Sequence, residues 1–144
     1  MRVWRLCSSR FASPDGEGAR LYGGRWNLPG PAVIYTSATL SLAALELLVH
    51  TDSDLMPDDL VAVAVEIPKS LAIEEVSQAD LPDNWKDYPP PEAAQALGSR
   101  WIERGDTAVL SVPSVIIVGE RNYLLNPRHA DFARVSWSDP TPFK

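Results

Sequence analysis

The sequence predicts an α+β fold in a single domain, and three observations carry that prediction. Segments with strand patterning outnumber helical ones, and the two kinds do not alternate as a doubly wound parallel sheet requires. The chain has 144 residues, enough for one core that buries roughly 70% of the unfolded surface. No internal repeat or low-complexity tract divides it, so residues 1–144 read as one unit.

Taken in order, Arg2 to Cys7 alternates moderately and predicts a first strand; the N-terminus through Leu6 is too short and too polar for a signal peptide. Ser13-Pro14-Asp15-Gly16-Glu17-Gly18 predicts a turn-rich loop. Gly23-Gly24 lets the backbone bend sharply just before Arg25. Asn27 to Pro31 predicts another turn, leading into a short strand over Val33–Thr36. Ser37 or Thr39 is placed to cap a helix that ends near His50. Leu60–Ile67 predicts a strong strand, closed by Pro68, and Ile73–Val76 a short one. Leu81–Pro91 is a proline-rich loop carrying Trp85 and Tyr88. Pro91 suits the first turn of a helix reaching about Arg104, where Gly105 stops it. Thr107–Val112 and Val115–Val118 predict strands parted by Pro113-Ser114. Asn122–Asp131 is polar and loop-like, and Ala133–Trp137 predicts the closing strand.

Composition narrows the function classes. With 45% hydrophobic and 22% charged residues the chain reads as an ordinary soluble globular protein, and no apolar run reaches the ~18 residues of a membrane span. The one cysteine, Cys7, excludes an internal disulfide and suits a reducing, cytoplasmic setting. His50 and His129 offer no metal-site spacing, so no metal is expected. A net charge of −6 argues against direct nucleic-acid binding, which needs a basic face, and for a small ligand or a basic protein partner.

The helix Leu40–His50 holds the most informative residue. Leu, Ala and Val lie all round its helical wheel, which predicts a helix buried on every side, and Glu46 is its one residue certain to be charged. A carboxylate there must be paired, neutralised or lining a cavity. Glu46 is therefore a candidate for chemistry, the alternative being an internal ion pair, with Arg25 as a possible partner. Arg25, between Gly24 and Trp26, reads either as a forked anchor for phosphate or carboxylate or as a surface arginine stacked on Trp26. Tyr35 ends a strand and faces either core or pocket. Ser114 stands at a bend between two apolar segments. A nucleophilic triad of Ser114, His129 and Asp131 is disfavoured because no Gly-x-Ser-x-Gly elbow surrounds the serine. Asn122 to His129 reads as a loop ordered by amide-to-backbone hydrogen bonds.

These residues resemble a known family. Gly16-x-Gly18-Ala19-x-Leu21-Tyr22-Gly23-Gly24-Arg25-Trp26-Asn27-x-x-Gly30 is similar to the opening signature of the RES-domain toxins. Tyr35, then Leu42-Ala43-x-x-x-Glu46-x-x-x-His50, continue it, and Val112-Pro113-Ser114 with Asn122-Tyr123-Leu124-Leu125-Asn126-Pro127-x-His129 complete it. The resemblance runs from about Arg2 to Trp137, with the motifs in the same order; one departure is Val118-Gly119, where a proline-containing strand end is expected. It maps the arginine, glutamate and serine of the family's name onto Arg25, Glu46 and Ser114, with Ser111 as the less favoured bearer of the serine role. The resemblance implies a fold similar to diphtheria-type ADP-ribosyltransferases, with mostly antiparallel sheets flanked by a few helices. It also implies a bacterial type II toxin paired with an Xre-like helix-turn-helix antitoxin that occludes the active site. The expected substrate is NAD⁺, split at the nicotinamide–ribose bond by hydrolysis or phosphorolysis, or used to ADP-ribosylate a protein; a non-catalytic antitoxin-binding module is the remaining alternative. On that basis Glu46, Arg25, Tyr35 and Ser114 are the expected catalytic residues, and Arg25, Trp26, Tyr35 and Asn126 the expected NAD⁺-binding ones.

Overall fold

A computed structural model describes residues 1–144. Eight strands form one sheet: β1 (Arg2–Ser8), β2 (Ile34–Ser37), β3 (Leu60–Glu66), β4 (Ile73–Glu75), β5 (Val109–Pro113), β6 (Arg121–Leu125), β7 (Ser136–Trp137) and β8 (Thr141–Pro142). They lie in the order β4-β5-β6-β2-β1-β3-β7, with β8 also pairing to β3. Only β4 and β5 run parallel; the other pairings are antiparallel. Three α-helices complete the domain, α1 (Glu17–Tyr22), α2 (Leu40–His50) and α3 (Glu92–Arg104). None is long and apolar enough to cross a membrane.

The core follows from the two-residue period of the strands. Neighbouring residues point to opposite faces, so Val109 and Leu125 join one apolar cluster with Val3, Ile34 and Val65. Leu110 and Leu124 join the other, with Trp26, Trp85, Ala94 and Trp101. Helix α3 is amphipathic and buries Ala94, Gly98, Trp101 and Ile102. Gly105 ends it in the left-handed conformation (φ 65°) that glycine adopts without steric cost.

Four expectations are corrected. The loop expected over Ser13–Gly18 opens into α1 at Glu17, because Gly16 turns the chain at φ 67° and Asp15 accepts the Glu17 amide at 3.1 Å. No strand forms over Val115–Val118: the Ser114 hydroxyl accepts the amides of Ile116 and Ile117 at 3.0 and 3.1 Å, and Gly119 turns at φ 87°. The polar run from Asn122 is instead the strand β6 as far as Leu125, antiparallel to both β2 and β5. Most of Ala133–Trp137 is likewise not strand, since a 3-10 turn occupies Ala130–Arg134 and only Ser136–Trp137 pairs.

Helix α2 also departs from expectation. Its start is as predicted, with the Thr39 hydroxyl accepting the Leu42 amide at 3.0 Å. It packs on β1 and β2, and only Leu42 and Ala43 are fully buried. The opposite face is open to solvent, leaving Leu45, Leu48 and Val49 at 40%, 60% and 58% exposed. An apolar wheel predicts burial on every side only when something covers every side. Here the domain covers one.

Candidate active site

The glycine turn before Arg25 is held from several directions. Gly23 has φ 72°, and the Gly24 amide donates to Asn27 O at 2.9 Å. From β2, the Tyr35 hydroxyl donates to Asn27 Oδ1 and accepts the Trp26 amide at 3.1 Å. Asn27 is fully buried and donates to Ala19 O, while Gln95 of α3 donates to Gly24 O at 3.1 Å. A Cβ on Gly24 would fall 2.6 Å from the Tyr35 hydroxyl oxygen, so glycine is required by that close approach. The turn therefore displays Arg25 from a rigid base.

The Arg25 guanidinium donates through Nη1 to the carbonyls of Trp85 and Asp87 at 2.9 and 3.2 Å, both in the proline-rich loop. It does not take up the surface stacking on Trp26: the Trp26 ring is buried and lies 6.1 Å from the Trp85 ring. Burial draws the Arg25 pKa below its ordinary value, and the Glu46 carboxylate opposes this most strongly among its neighbours. A guanidinium stays charged under such shifts. Burial also drives the Tyr35 phenol well above its ordinary value, so the ring is neutral.

Glu46 is fixed through one oxygen. Its Oε1 accepts the Ser114 hydroxyl at 2.7 Å and the Asn122 side-chain amide at 2.8 Å. Asn122 is held in turn by Ser37, whose hydroxyl donates to Asn122 Oδ1 at 2.7 Å. The Glu46 side chain is 20% exposed, and its Oε2 lies 3.7 Å from His50 Nε2. Arg25, Tyr35, Glu46, His50 and Asn122 line one cleft of about 570 Å³. Glu46 and Arg25 form no direct ion pair; they face the same hollow. No cluster of three or more His, Cys, Asp or Glu side chains is arranged to hold a metal ion.

The other expected site residues divide. Ser114 is buried behind Glu46 and reaches the cleft only through it. Ser111 does not compete for that role, because its hydroxyl accepts from Arg121 Nε at 2.6 Å. Asn126 is buried, accepts the Arg128 amide at 3.0 Å and is not among the residues that line the cleft. His129 caps the 3-10 turn by accepting the Asp131 amide through Nδ1, so no triad forms with Ser114.

Sequence reasoning missed two cleft residues. Asn122 was hidden inside a segment read as loop. Arg5 lines the cleft from β1 and donates to Tyr35 O and Phe11 O at 3.2 and 3.4 Å, leaving a buried Nε without a partner. It makes no ion pair. The signal was present: Arg5 alternates with buried Val3 along one strand face, where an apolar residue is the rule.

One α+β domain thus brings a carboxylate, Glu46, and two guanidinium groups, Arg5 and Arg25, to the lining of one cleft. Residues 2–144 match the RES domain, and the chain belongs to that family. It is 37% identical over 134 residues to "Toxin Res" of Yersinia enterocolitica, covering 92% of this chain and 88% of the relative. It is 38% identical over 134 residues to the "Prs ADP-ribosylating toxin" of Sphingobium sp., covering 89% and 83% respectively. Its fold matches a chain from the crystal structure of the M. tuberculosis MbcT–MbcA toxin–antitoxin complex with a TM-score of 0.80 at 16% identity, covering 99% of this chain and 84% of that one.

Proposed function

We propose that this protein is the toxin of a toxin–antitoxin pair and cleaves the nicotinamide–ribose bond of NAD⁺. The observation that carries the reading is the carboxylate of Glu46, held on Oε1 by Ser114 and Asn122 with Oε2 left without a hydrogen bond, in the cleft that Arg25 also lines. Curated relatives named as toxins, one of them ADP-ribosylating, support it.

In the proposed reaction the bond from ribose C1′ to the nicotinamide nitrogen breaks, and its electron pair leaves with nicotinamide, which becomes neutral. Positive charge develops on the sugar, and a nucleophile then adds at C1′ with loss of its proton. Glu46 opposes the developing charge, or accepts from the ribose 2′-hydroxyl. Unit charges 4 Å apart at an effective dielectric of 20 interact by about 4 kcal/mol, and at ~1.4 kcal/mol per decade that supplies roughly a thousandfold in rate. Arg25 and Arg5 anchor the anionic pyrophosphate; Arg25 exchanges its loop carbonyls for phosphate oxygens, which make stronger charge-assisted bonds. Tyr35, neutral and locked by its hydroxyl, gives a flat wall for nicotinamide. Ser114 keeps the carboxylate aimed.

Water or inorganic phosphate is the preferred acceptor. The relative named as an ADP-ribosylating toxin favours a second reading, in which a protein side chain takes the ADP-ribose. Monitoring NAD⁺ by NMR with the purified protein, with and without phosphate, tests the first. Labelled NAD⁺ in lysate tests the second, by label on a discrete protein band. Undiminished NAD⁺ together with no labelled protein would leave only a non-catalytic binding module.

Arg25→Ala is expected to raise KM for NAD⁺ about tenfold to a hundredfold, the cost of losing a charge-assisted hydrogen-bond donor to phosphate. Steady-state kinetics check it, and an unchanged KM and kcat would return Arg25 to a loop-holding role.

The partner is proposed to be an Xre-like antitoxin that covers the cleft. The exposed stripe of Leu45, Leu48 and Val49 on α2 is the face it would bury. Leu48→Asp should weaken the complex by at least tenfold while leaving the free protein folded, because Leu48 is exposed in the monomer and a buried, unpaired charge at an interface is costly. Calorimetry with the antitoxin measures this, and equal affinity would exclude the α2 face.

A further inference from the structure

The lining of the cleft divides by chemistry. Glu46, Arg25 and Asn122 bring charge and amide groups to it, whereas Leu6, Phe11, Gly18 and Ala19 bring an apolar stretch. Phe11 closes the 3-10 turn Ser9–Phe11 that follows β1, and its half-buried ring belongs to neither apolar cluster of the core. Helix α1 passes this ring at a glycine: a Cβ on Gly18 would meet Phe11 at 3.7 and 4.0 Å and no other residue within 4 Å. Arg10 stands over the ring, its guanidinium carbon 5.8 Å from the centroid, so one face is taken. An aromatic ring that fills no core and borders a cleft is a wall for what enters that cleft.

Arg5 ties this wall to the rest of the site. Its Nη1 donates to Tyr35 O at 3.2 Å and its Nη2 to Phe11 O at 3.4 Å, so one guanidinium reaches from β2 to the turn. Its buried Nε has no partner. Tyr35, Arg5 and Phe11 therefore follow one another as aromatic, cation, aromatic. A dinucleotide has the matching order of base, pyrophosphate, base, with a ribose at each join. We propose that Phe11, with Gly18 of α1 beside it, forms the subsite for the adenine base of NAD⁺ and makes Phe11 a specificity-determining residue. The assignment rests on the NAD⁺ reading for the identity of the ligand, but the subsite can be measured without turnover.

The surroundings suit a flat, uncharged heteroaromatic ring. Adenine stacks on a phenyl face and needs no counter-charge there. Glycine at position 18 keeps the ring uncovered, because a side chain longer than Cβ would lie across it. Orientation follows from the scissile bond. With the pyrophosphate on Arg5, nicotinamide and its ribose fall on the side of Tyr35 and Glu46, and adenosine on the side of Phe11. The reverse orientation would carry the bond to be broken away from the carboxylate. The consequence is selectivity for NAD⁺ over nicotinamide mononucleotide, which has the same scissile bond and lacks the adenylate.

Calorimetry of the whole protein with ADP and with inorganic pyrophosphate tests this. Phe11→Ala should weaken ADP about tenfold and change pyrophosphate by less than about twofold, because only ADP carries a base to stack. Gly18→Leu should do the same by covering the ring instead of removing it. Its Cβ makes ordinary contact, so it stands in if Phe11→Ala unfolds. In both variants the preference for NAD⁺ over nicotinamide mononucleotide in kcat/KM should shrink by the same factor. Unchanged ADP affinity in the folded variants, or no ADP binding by the parent, overturns the proposal. So does pyrophosphate weakening in step with ADP, which would make Phe11 a mere support for Arg5. The NAD⁺ reading fails separately: ADP binding that depends on Phe11, with no NAD⁺ consumed by the parent, would retain the nucleotide subsite and sink that reaction.

Discussion

Glu46→Gln is expected to reduce NAD⁺ turnover by about a thousandfold while the domain stays folded. The estimate comes from removing one fixed charge near a developing cation, about 4 kcal/mol at an effective dielectric of 20. Glutamine has nearly the same shape as glutamate, and its Oε1 can still accept from Ser114 and Asn122, which now bond that position at 2.7 and 2.8 Å. The loss should therefore appear in kcat, with thermal unfolding close to that of the parent. Purified variant and parent, followed by NAD⁺ consumption and circular dichroism, decide the matter. A Gln variant working at the parent rate would make Glu46 a structural residue and remove the chemical basis of the proposed function.

Gly98→Ala is expected to destabilise the fold by about 3 kcal/mol or more, in the upper range of overpacking substitutions. Elsewhere in an exposed helix the same change stabilises by nearly 1 kcal/mol, because glycine has the greater chain entropy to lose. Here the sign reverses. Gly98 of α3 is buried against the turn that carries Arg25, and an added Cβ would overlap the Trp26 carbonyl oxygen and stand 2.8 Å from its carbon. Those are backbone atoms, which cannot rotate away. The helix must move off the turn, and Arg25 moves with it, so KM for NAD⁺ should rise as well. Gly18→Ala is the control, since its Cβ would meet only the Phe11 ring at 3.7 Å. Urea titrations of the two variants should differ in direction, and equal midpoints would mean that α3 does not bear on the turn.

The strand β1 announces itself by moderate alternation, β2, β3 and β5 by apolar runs bounded by Gly, Pro or polar residues, and α3 by Pro91 and Gly105 at its ends. These are local signals, complete within a dozen residues. β6 was misread because Arg121 and Asn122 are polar for a tertiary reason: Arg121 donates to Ser111 and Val76, and Asn122 donates to Glu46. Val115–Val118 misled in the opposite way, since β propensity there yields to the bend made by Ser114 and Gly119. At the site, a carboxylate in an apolar helix marked Glu46 out by its cost. Asn126 carries no such mark, and in the fold its side chain accepts the Arg128 amide within its own loop.

By itself the sequence determined the family, the single α+β domain, and the residues whose burial would be unfavourable without a purpose, Glu46 above all. Those properties depend on composition and short-range pattern, which a linear chain carries in full. Only the tertiary structure decided that Ser114 rather than Ser111 stands at the carboxylate, that Arg5 joins Arg25 in the cleft, and that α2 leaves an apolar face uncovered. Each is a matter of which distant segments meet. Strand pairing sets that for Glu46 and Ser114, 68 positions apart in the chain, far beyond the reach of any local pattern.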